Sequence, residues 1–368
     1  MTVSLGEPIA GGQGARGWDE LSVRFDEVVD LSRIRALLQE AKERGGSTAE
    51  TVSTINLVAI YFSSAAYDRA RAALEAAGRL HPCRLVVLIA ESGAPAESVT
   101  ARISVVRSGG AVSLERIVLT ATGAGVRHLE SALIGLLLPE LPVVVVWGGR
   151  AEGALLQRAV GAADRVIIDS GTRPTEALAQ VATMLVRGAP IGDLAWARIF
   201  PWMALAAEVL DIPNLREHRA NLKSARVICA GAVGAEGALL GGWFASRVRK
   251  ARVEVVAGGD AETGSYVPGE GDGTAITGYP APAPLGRGHI AGFEFSAPPA
   301  TFLLRRQRGI LTAEVRGDDD GKVVHRVRLP LETPGRLLGL ELKLVSGQDE
   351  LYVAAVQRAV ALLPRTAA

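Results

Sequence analysis

The stretch Leu136-Leu-Leu-Pro-Glu-Leu-Pro-Val-Val-Val-Val-Trp147 constrains this chain more than any other. Four consecutive valines closing on Trp147 and Gly148 describe a strand buried on both faces, because a strand with one wet face alternates apolar and polar residues. Pro139 and Pro142 cannot continue the preceding helix, so the apolar tract divides into helix, turn and strand. It never becomes a single membrane span. The strand is expected at the centre of its sheet.

On either side of it, apolar runs alternate with helical spacing. Leu31, Ile34, Leu37, Leu38 and Ala41 predict an amphipathic helix, capped by Asp30 or Ser32 and stopped by Gly45-Gly46. Residues 54–62 and 84–90 read as strands joined by a helix whose buried stripe is Ala66, Tyr67, Ala70, Leu74 and Ala77, a β-α-β unit with right-handed crossover. Segments 103–107 and 115–122, divided at Ser108-Gly109-Gly110, predict a hairpin adding an antiparallel edge. A helix over 125–138, a helical stretch at 152–160, a strand at 165–169 and a helix opening at Thr172-Arg173-Pro174 complete the pattern. The first domain, 30–214, is therefore expected to be α/β with a mixed, mostly parallel sheet. Residues 1–29 are expected to form a disordered Gly-rich tail.

That domain ends in Asp193-Leu-Ala-Trp-Ala-Arg-Ile-Phe-Pro-Trp202, which concentrates Trp196, Phe200 and Trp202 in a chain only 5% aromatic. Pro201 is expected to start a helix, with 196–200 leading into it. The charged stretch 213–224 is read as the domain boundary. The second domain, 215–368, opens with strand 225–230, helix 236–248 and strand 251–256. A Gly/Pro-rich loop at 258–288 follows, then alternating strands at 290–295, 301–305, 310–316 and 322–329 and a closing helix over 349–363. This half is expected to be α+β with an antiparallel sheet.

Composition narrows the function. Lys plus Arg (40) nearly balances Asp plus Glu (39), and a net charge of +1 supplies no field for nucleic acid or an anionic membrane. Cys83 and Cys229 lie outside any C-x-x-C spacing, which excludes a disulfide scaffold or thiolate metal site and fits a reducing cytoplasm. No secretory signal is legible in residues 1–17.

Catalytic and cofactor patterns are weak throughout. Gly12, Gly14 and Gly17 match a dinucleotide fingerprint by spacing alone, with no strand before them. Gly231-Ala-Val-Gly-Ala-Glu-Gly237 sits between a strand and a helix, with Glu254 on the next strand. Its G-x-x-G-x-x-G spacing misplaces the second glycine for close approach to phosphate, so helix-strand packing is the preferred reading. Ser92 and Ser170 lie at strand ends without a G-x-S-x-G context and read as turn or cap serines. His81, His128, His218, His289 and His325 form no H-x-x-x-H pair. Asp318, Asp319 and Asp320 read as a hairpin turn rather than a cation site. No cofactor, metal or catalytic residue is assigned. Trp196, Arg198 and Trp202 are the candidate partner-binding residues, since Trp and Arg dominate interface hot spots, with burial as the competing role for the tryptophans.

Leu141-Pro-Val-Val-Val-Val-Trp147, Asp164-Arg-Val-Ile-Ile-Asp-Ser170 and the Asp193 to Trp202 segment, together with Thr54-Ile-Asn-Leu-Val58, His81-Pro-Cys-Arg84 and Ala238-Leu-Leu-Gly-Gly-Trp-Phe-Ala245, resemble the OpcA family, the glucose-6-phosphate dehydrogenase assembly or allosteric effector proteins of cyanobacteria and actinobacteria. The resemblance runs from about residue 47 to the last helix, and the Asp-Leu-Ala-Trp-x-Arg-x-x-Pro-Trp pattern is its most specific part. It implies a non-catalytic cytoplasmic protein that binds glucose-6-phosphate dehydrogenase, favours its active oligomer and supports the oxidative pentose phosphate pathway. For cyanobacterial members it also implies redox sensitivity, whereas a buried unpaired thiol is the expectation for Cys83 and Cys229 here. The alternative reading is a sugar-phosphate enzyme or binding protein in which Ser170, Thr172 and Arg173 hold a phosphate at a helix N-terminus.

Overall fold

The computed structural model describes residues 20–25, 29–44, 53–108, 111–149, 159–258, 286–307, 310–317, 322–328, 333–343 and 347–363. Chain contacts divide it into two units: unit 1 comprises Met1–Gly149, Gly153–Ile168 and Thr333–Gly347, and unit 2 comprises Arg150–Glu152, Asp169–Glu332 and Gln348–Ala368. Helices bounded within the described residues include α1 (Leu31–Glu43), α2 (Ser64–Leu80), α3 (Leu129–Leu136), α4 (Ala177–Val186), α5 (Leu194–Asp211), α6 (Ala235–Arg247), α7 (Pro334–Glu341) and α8 (Glu350–Leu362).

In unit 1 the strands β1 (Leu21–Phe25), β2 (Ile55–Tyr61), β3 (Cys83–Glu91), β4 (Ser98–Ser108), β5 (Ala111–Thr122), β6 (Val143–Trp147) and β7 (Arg165–Ile168) run in the order β1-β4-β5-β3-β2-β6-β7. From β5 to β7 the pairs are parallel, while β4 and β1 add antiparallel strands, which is the mixed, mostly parallel sheet expected for the first domain. The valine strand β6 is interior, but β3 and β2 hold the middle, because the β4-β5 hairpin and β1 extend the sheet on one side. Its approach is fixed by Asn56, fully buried on β2. The Asn56 amide nitrogen donates to the carbonyls of Leu138 (2.9 Å) and Leu141 (3.1 Å), and its oxygen accepts from the Leu138 amide (2.8 Å). This stitches the turn through Pro139 and Glu140, whose φ is 66°, onto the neighbouring strand.

Two elements in unit 1 depart from the sequence expectations. The supposed tail of residues 1–29 contains β1, which pairs Leu21 with Ile103 through Phe25 with Val99. Leu21, Val23 and Phe25 turn inward while Ser22 and Arg24 stay exposed, so a short alternating segment is ordered by the free edge of β4. Near the other end, Thr333 caps α7 by accepting from the Arg336 amide at 3.3 Å, with Pro334 in its first turn. Gly335 lies against the Ala73 backbone of α2, and Arg165 bonds Glu341 at 2.6 Å, both side chains nearly buried. A composition-based division could not place this helix in the first unit.

Unit 2 contains β8 (Ile191–Asp193) and a six-stranded sheet ordered β10-β9-β11-β12-β13-β14, built from β9 (Ser224–Cys229), β10 (Arg252–Ala257), β11 (Ile290–Ala297), β12 (Ala300–Gln307), β13 (Ile310–Arg316) and β14 (Lys322–Arg328). β9 and β10 are parallel and joined by α6, and every other pair is antiparallel. Phe244, Phe293, Phe295 and Phe302 pack its core, the last two stacked at 4.8 Å. The boundary drawn at 214/215 falls inside this unit. Leu215 and Leu222 are buried, and the Lys223 amide donates to Ser296 O at 2.8 Å, so the charged stretch 213–224 is tied to the sheet despite its polar surface.

Pro201 does not begin a helix. α5 is continuous from Leu194, and Pro201 lies inside it. An internal proline costs about 3 kcal/mol. Burial of Ile199, Trp202, Met203, Leu205, Ala206 and Val209 outweighs it, at roughly 1.5–3 kcal/mol for each large side chain. The helix predicted to open at Thr172 starts later, at Ala177, after a short 3-10 turn over Ser170–Thr172. Gly12, Gly14, Gly17, Gly45, Gly46, residues 259–285 of the long loop and Asp318 to Asp320 lie outside the described residues.

Helices α6 and α8 meet at Gly242, where a Cβ would run into the Ala355 carbonyl and come within 2.7 Å of the Ala359 nitrogen. Gly242→Ala is expected to cost about 1–3 kcal/mol by overpacking a backbone contact that cannot yield. Urea denaturation midpoints measure it against Gly161→Ala, where nothing lies within 4 Å. Equal midpoints for the two variants would refute the close-packing account.

Candidate functional site

The signature segment of α5 builds an internal frame in unit 2. Asp193 is fully buried; its Oδ1 accepts from the amides of Ser170 (3.0 Å) and Ala195 (2.9 Å), and its Oδ2 accepts from the Tyr352 hydroxyl (2.9 Å). Burial raises its pKa, and the hydrogen bonds from Ser170 and Ala195 pull the other way. Trp196 is 8% exposed and donates through Nε1 to Asp349 at 2.8 Å, where Asp349 also caps α8; its ring packs against Tyr352 at 5.5 Å. Trp202 is 4% exposed. Both tryptophans are therefore core residues, and the candidate partner-binding set is corrected at these positions. The exposed aromatic of the segment is Phe200, at 66%.

Arg198 is also engaged inward. Its guanidinium bonds both carboxylate oxygens of Asp169, and its Nε donates to Glu236 Oε1 at 2.6 Å. Glu236 stands in the first turn of α6, 8% exposed in its side chain, and its second oxygen meets His289 Nδ1 at 2.9 Å. Burial alone would raise the Glu236 pKa, but His289 and Arg198 together hold the carboxyl below its usual range. The bond to Glu236 in turn raises His289, against burial and the charges of Arg198 and Arg306. The result is a line of alternating charge, Asp169-Arg198-Glu236-His289, leading to a cleft.

The cleft has a volume of about 320 Å³, and its lining includes Arg173, Glu176, Gly234, Glu236, Arg287 and His289. Three segments form it: the turn after Gly171, the loop between β9 and α6, and the approach to β11. Of the alternative phosphate-binding residues only Arg173 faces it. Ser170 is buried with its amide on Asp193; the Gly171 amide is held by Asp169 Oδ1 (3.1 Å), and the Thr172 hydroxyl donates to Asp169 O (2.9 Å). Donors already committed to a carboxylate or a backbone carbonyl cannot hold a phosphate. Composition and spacing gave no sign of Glu236, His289 or Arg287 as neighbours; the one signal was the Gly231 to Gly237 loop.

That loop packs as helix-strand contact requires. A Cβ on Gly237 would strike Cys229 Sγ, and one on Gly241 would come within 2.9 Å of Val255. Glu254 is paired with Arg226 (3.4 Å) and Arg252 (2.7 Å) within the sheet. In unit 1 the comparable place, where the strand order turns between β2 and β6, is filled. Phe62 meets Trp147 edge-on at 5.5 Å, and the start of α2 is capped by Ser63 and by Glu91, which accepts from the Ser64 amide at 2.7 Å.

The remaining candidates have structural surroundings. Ser92 is exposed in a turn, His81 bonds Gly339 O at 2.8 Å, His128 bonds Arg127, and His218 packs against Phe302. The side chain of His325 lies outside the described residues. Cys83 and Cys229 are free and buried, and burial pushes their thiols up to about 12 and about 11, which leaves little thiolate at neutral pH. Among the described residues no group of three or more His, Cys, Asp or Glu is placed to hold a metal, and no helix is long and apolar enough to cross a membrane.

Comparison with known proteins gives a consistent family. The model of the glucose-6-phosphate dehydrogenase subunit N-terminal domain matches residues 74–183, and that of the corresponding C-terminal domain matches residues 189–356. Proteins named OxPP cycle protein OpcA are similar: 29% identity over 178 residues in Synechocystis sp. and 28% over 178 residues in Nostoc punctiforme. Each match covers 46% of this chain and 38% of the relative, so it spans less than half the length of either protein. Among solved structures, a 3-ketoreductase of Actinomadura kijaniata overlaps 84% of this chain and 96% of its own at 12% identity and a TM-score of 0.44. An aldose-aldose oxidoreductase of Caulobacter crescentus overlaps 84% and 96% at 8% identity and a TM-score of 0.41. Likenesses this loose carry no functional reading.

Two outcomes follow from the charge line. Arg198→Ala leaves Glu236 and Asp169 without their cation, so it is expected to cost roughly 3 kcal/mol of stability rather than act as a silent surface change; a denaturation midpoint equal to wild type would contradict this. The His289 contribution, arising from a raised folded pKa, is complete below about pH 6.5 and is lost as pH rises through the folded value. Glu236 acts at the acid end, its contribution present above the ordinary carboxylate range and lost as pH falls through the depressed value. Thermal midpoints of wild type are therefore expected to fall relative to His289→Gln as pH rises above about 6.5, and parallel curves would show the pair to be inert.

Proposed function

Because the chain belongs to the OpcA family, we propose that it is a non-catalytic partner of glucose-6-phosphate dehydrogenase that favours the active oligomer of that enzyme and raises its activity, supporting the oxidative pentose phosphate pathway in the cytoplasm. The observation that carries this reading is the succession of the two family domains along one chain, both described as parts of a glucose-6-phosphate dehydrogenase subunit. The relatives named for the OxPP cycle point the same way. The state of the acidic and basic side chains also supports it: Asp193, Arg198, Glu236 and Asp169 are engaged with one another or with backbone amides, an arrangement that holds a framework. The mechanism is linkage. A partner that binds the active form of the enzyme more tightly than the inactive form shifts the population toward it, by no more than the difference in the two affinities.

Titration of the protein into purified cognate dehydrogenase, with substrate saturation and assembly mass recorded together, tests the reading. A lower apparent KM or a higher kcat, accompanied by a larger assembly, is expected. No change in either quantity would overturn it. Phe200→Ser, at an exposed position of α5, is expected to leave the thermal midpoint within a degree or so of wild type and to weaken this coupling. An unchanged coupling curve would remove α5 from the contact surface.

A further inference from the structure

The cleft of unit 2 has the chemistry of a small-anion site. α6 begins at Gly234, which supplies no side-chain cap. The Gly234 amide is directed to Cys229, and the amides of Ala235 and Glu236, both at the cleft wall, have no acceptor among the described residues. The missing cap has a steric cause: Gly288, with φ of 87°, passes so close to Gly234 that any Cβ there would collide with the Gly288 carbonyl. A serine or aspartate cap is excluded, and the first-turn donors stay open with the positive end of the helix dipole behind them.

Cationic side chains flank these donors. Arg173 and Arg287 line the cleft with His289. Burial pulls the Arg173 guanidinium below its ordinary pKa against the opposing pull of Asp193 and Asp169, and burial does the same to Arg306, which the charge of Glu236 offsets in part. Nearby acids are largely committed: Asp169 to Arg198, Asp193 to its three donors, and Glu236 to Arg198 and His289, leaving Glu176 on the exposed rim. Open amides beside arginine are the combination that binds phosphate.

We propose that this cleft binds a small phosphate monoester of about sugar size, its phosphate on the Ala235 and Glu236 amides and between Arg173 and Arg287. The volume of about 320 Å³ lies at the lower end of the range for small-molecule sites. A dinucleotide is disfavoured by that size, by Gly237 packed on Cys229, and by Glu254 held in ion pairs within the sheet. The proposal concerns the isolated chain and does not rest on a dehydrogenase partner.

Calorimetric titration of the full chain at fixed ionic strength, with inorganic phosphate, a hexose 6-phosphate and the unphosphorylated hexose, tests it. Saturable binding of both phosphates is expected, the ester tighter, with none for the neutral hexose. Arg287→Glu, at an exposed residue, is expected to weaken binding tenfold or more while leaving the ligand-free thermal midpoint unchanged, and Arg173→Gln is expected to weaken it similarly. If Arg173→Gln fails to fold, Arg287→Glu alone decides. Non-saturable heats, equal binding of the neutral hexose, or undiminished affinity in Arg287→Glu would overturn the proposal.

Discussion

A single buried carboxylate, Asp193, determines how unit 2 closes. Removing a carboxylate from water costs several kcal/mol unless its oxygens are fully engaged. Here they are engaged by three donors from separated segments: the Ser170 amide, the Ala195 amide that opens α5, and the Tyr352 hydroxyl on α8. The same residue is thus a helix cap and a long-range tie, and it makes the C-terminal helix part of the unit's interior. Asp349 repeats the device from the other side, capping α8 while accepting the Trp196 indole.

This frame explains why the most specific segment of the sequence is not a surface signature. Asp-Leu-Ala-Trp-x-Arg specifies a cap, a buried indole with one donor, and a guanidinium between two acids. Each of these needs its partner in place to avoid stranding a polar group away from water. Arg198 in particular converts a core position into control of the cleft. By holding Asp169 it fixes the turn that carries Gly171 and Arg173, and by holding Glu236 it fixes the first turn of α6. Glu236 then orients His289 at the entry to β11. The walls of the cleft are set by one chain of charges rather than by three independent loops.

Much of the architecture was legible because it depends on local pattern. The valine run of β6, the β-branched runs of β2 and β3, the stripes of α1 and α2 and the alternating strands after residue 290 all encode burial by spacing alone. What escaped depends on partners far away in sequence. Leu21–Phe25 becomes a strand because β4 offers an edge, and α7, which is short and opens on Pro-Gly, is stabilised by α2 some 250 residues earlier. Pro201 misled because its local cost is real, while the burial that outweighs it belongs to the whole of α5. The site followed the same rule. The Gly231 to Gly237 loop was visible, but spacing could not show that Glu236 meets His289 across 53 residues or that Ser170 spends its amide on Asp193.

Two strand-helix-strand crossovers in the molecule show how small differences separate a structural joint from a receptive one. At the start of α2 the amides receive Ser63 and Glu91, and the adjoining strand end is packed by Phe62 against Trp147, so donors and space are both consumed by the chain itself. At the start of α6 the cap is glycine, constrained by the opposing Gly288 backbone, and the nearest acid turns away to serve Arg198 and His289. Fold alone assigns neither crossover a role. The difference lies in whether an anionic side chain is supplied from within, and at α6 the geometry that forbids a capping side chain also preserves the open donors and the cationic rim.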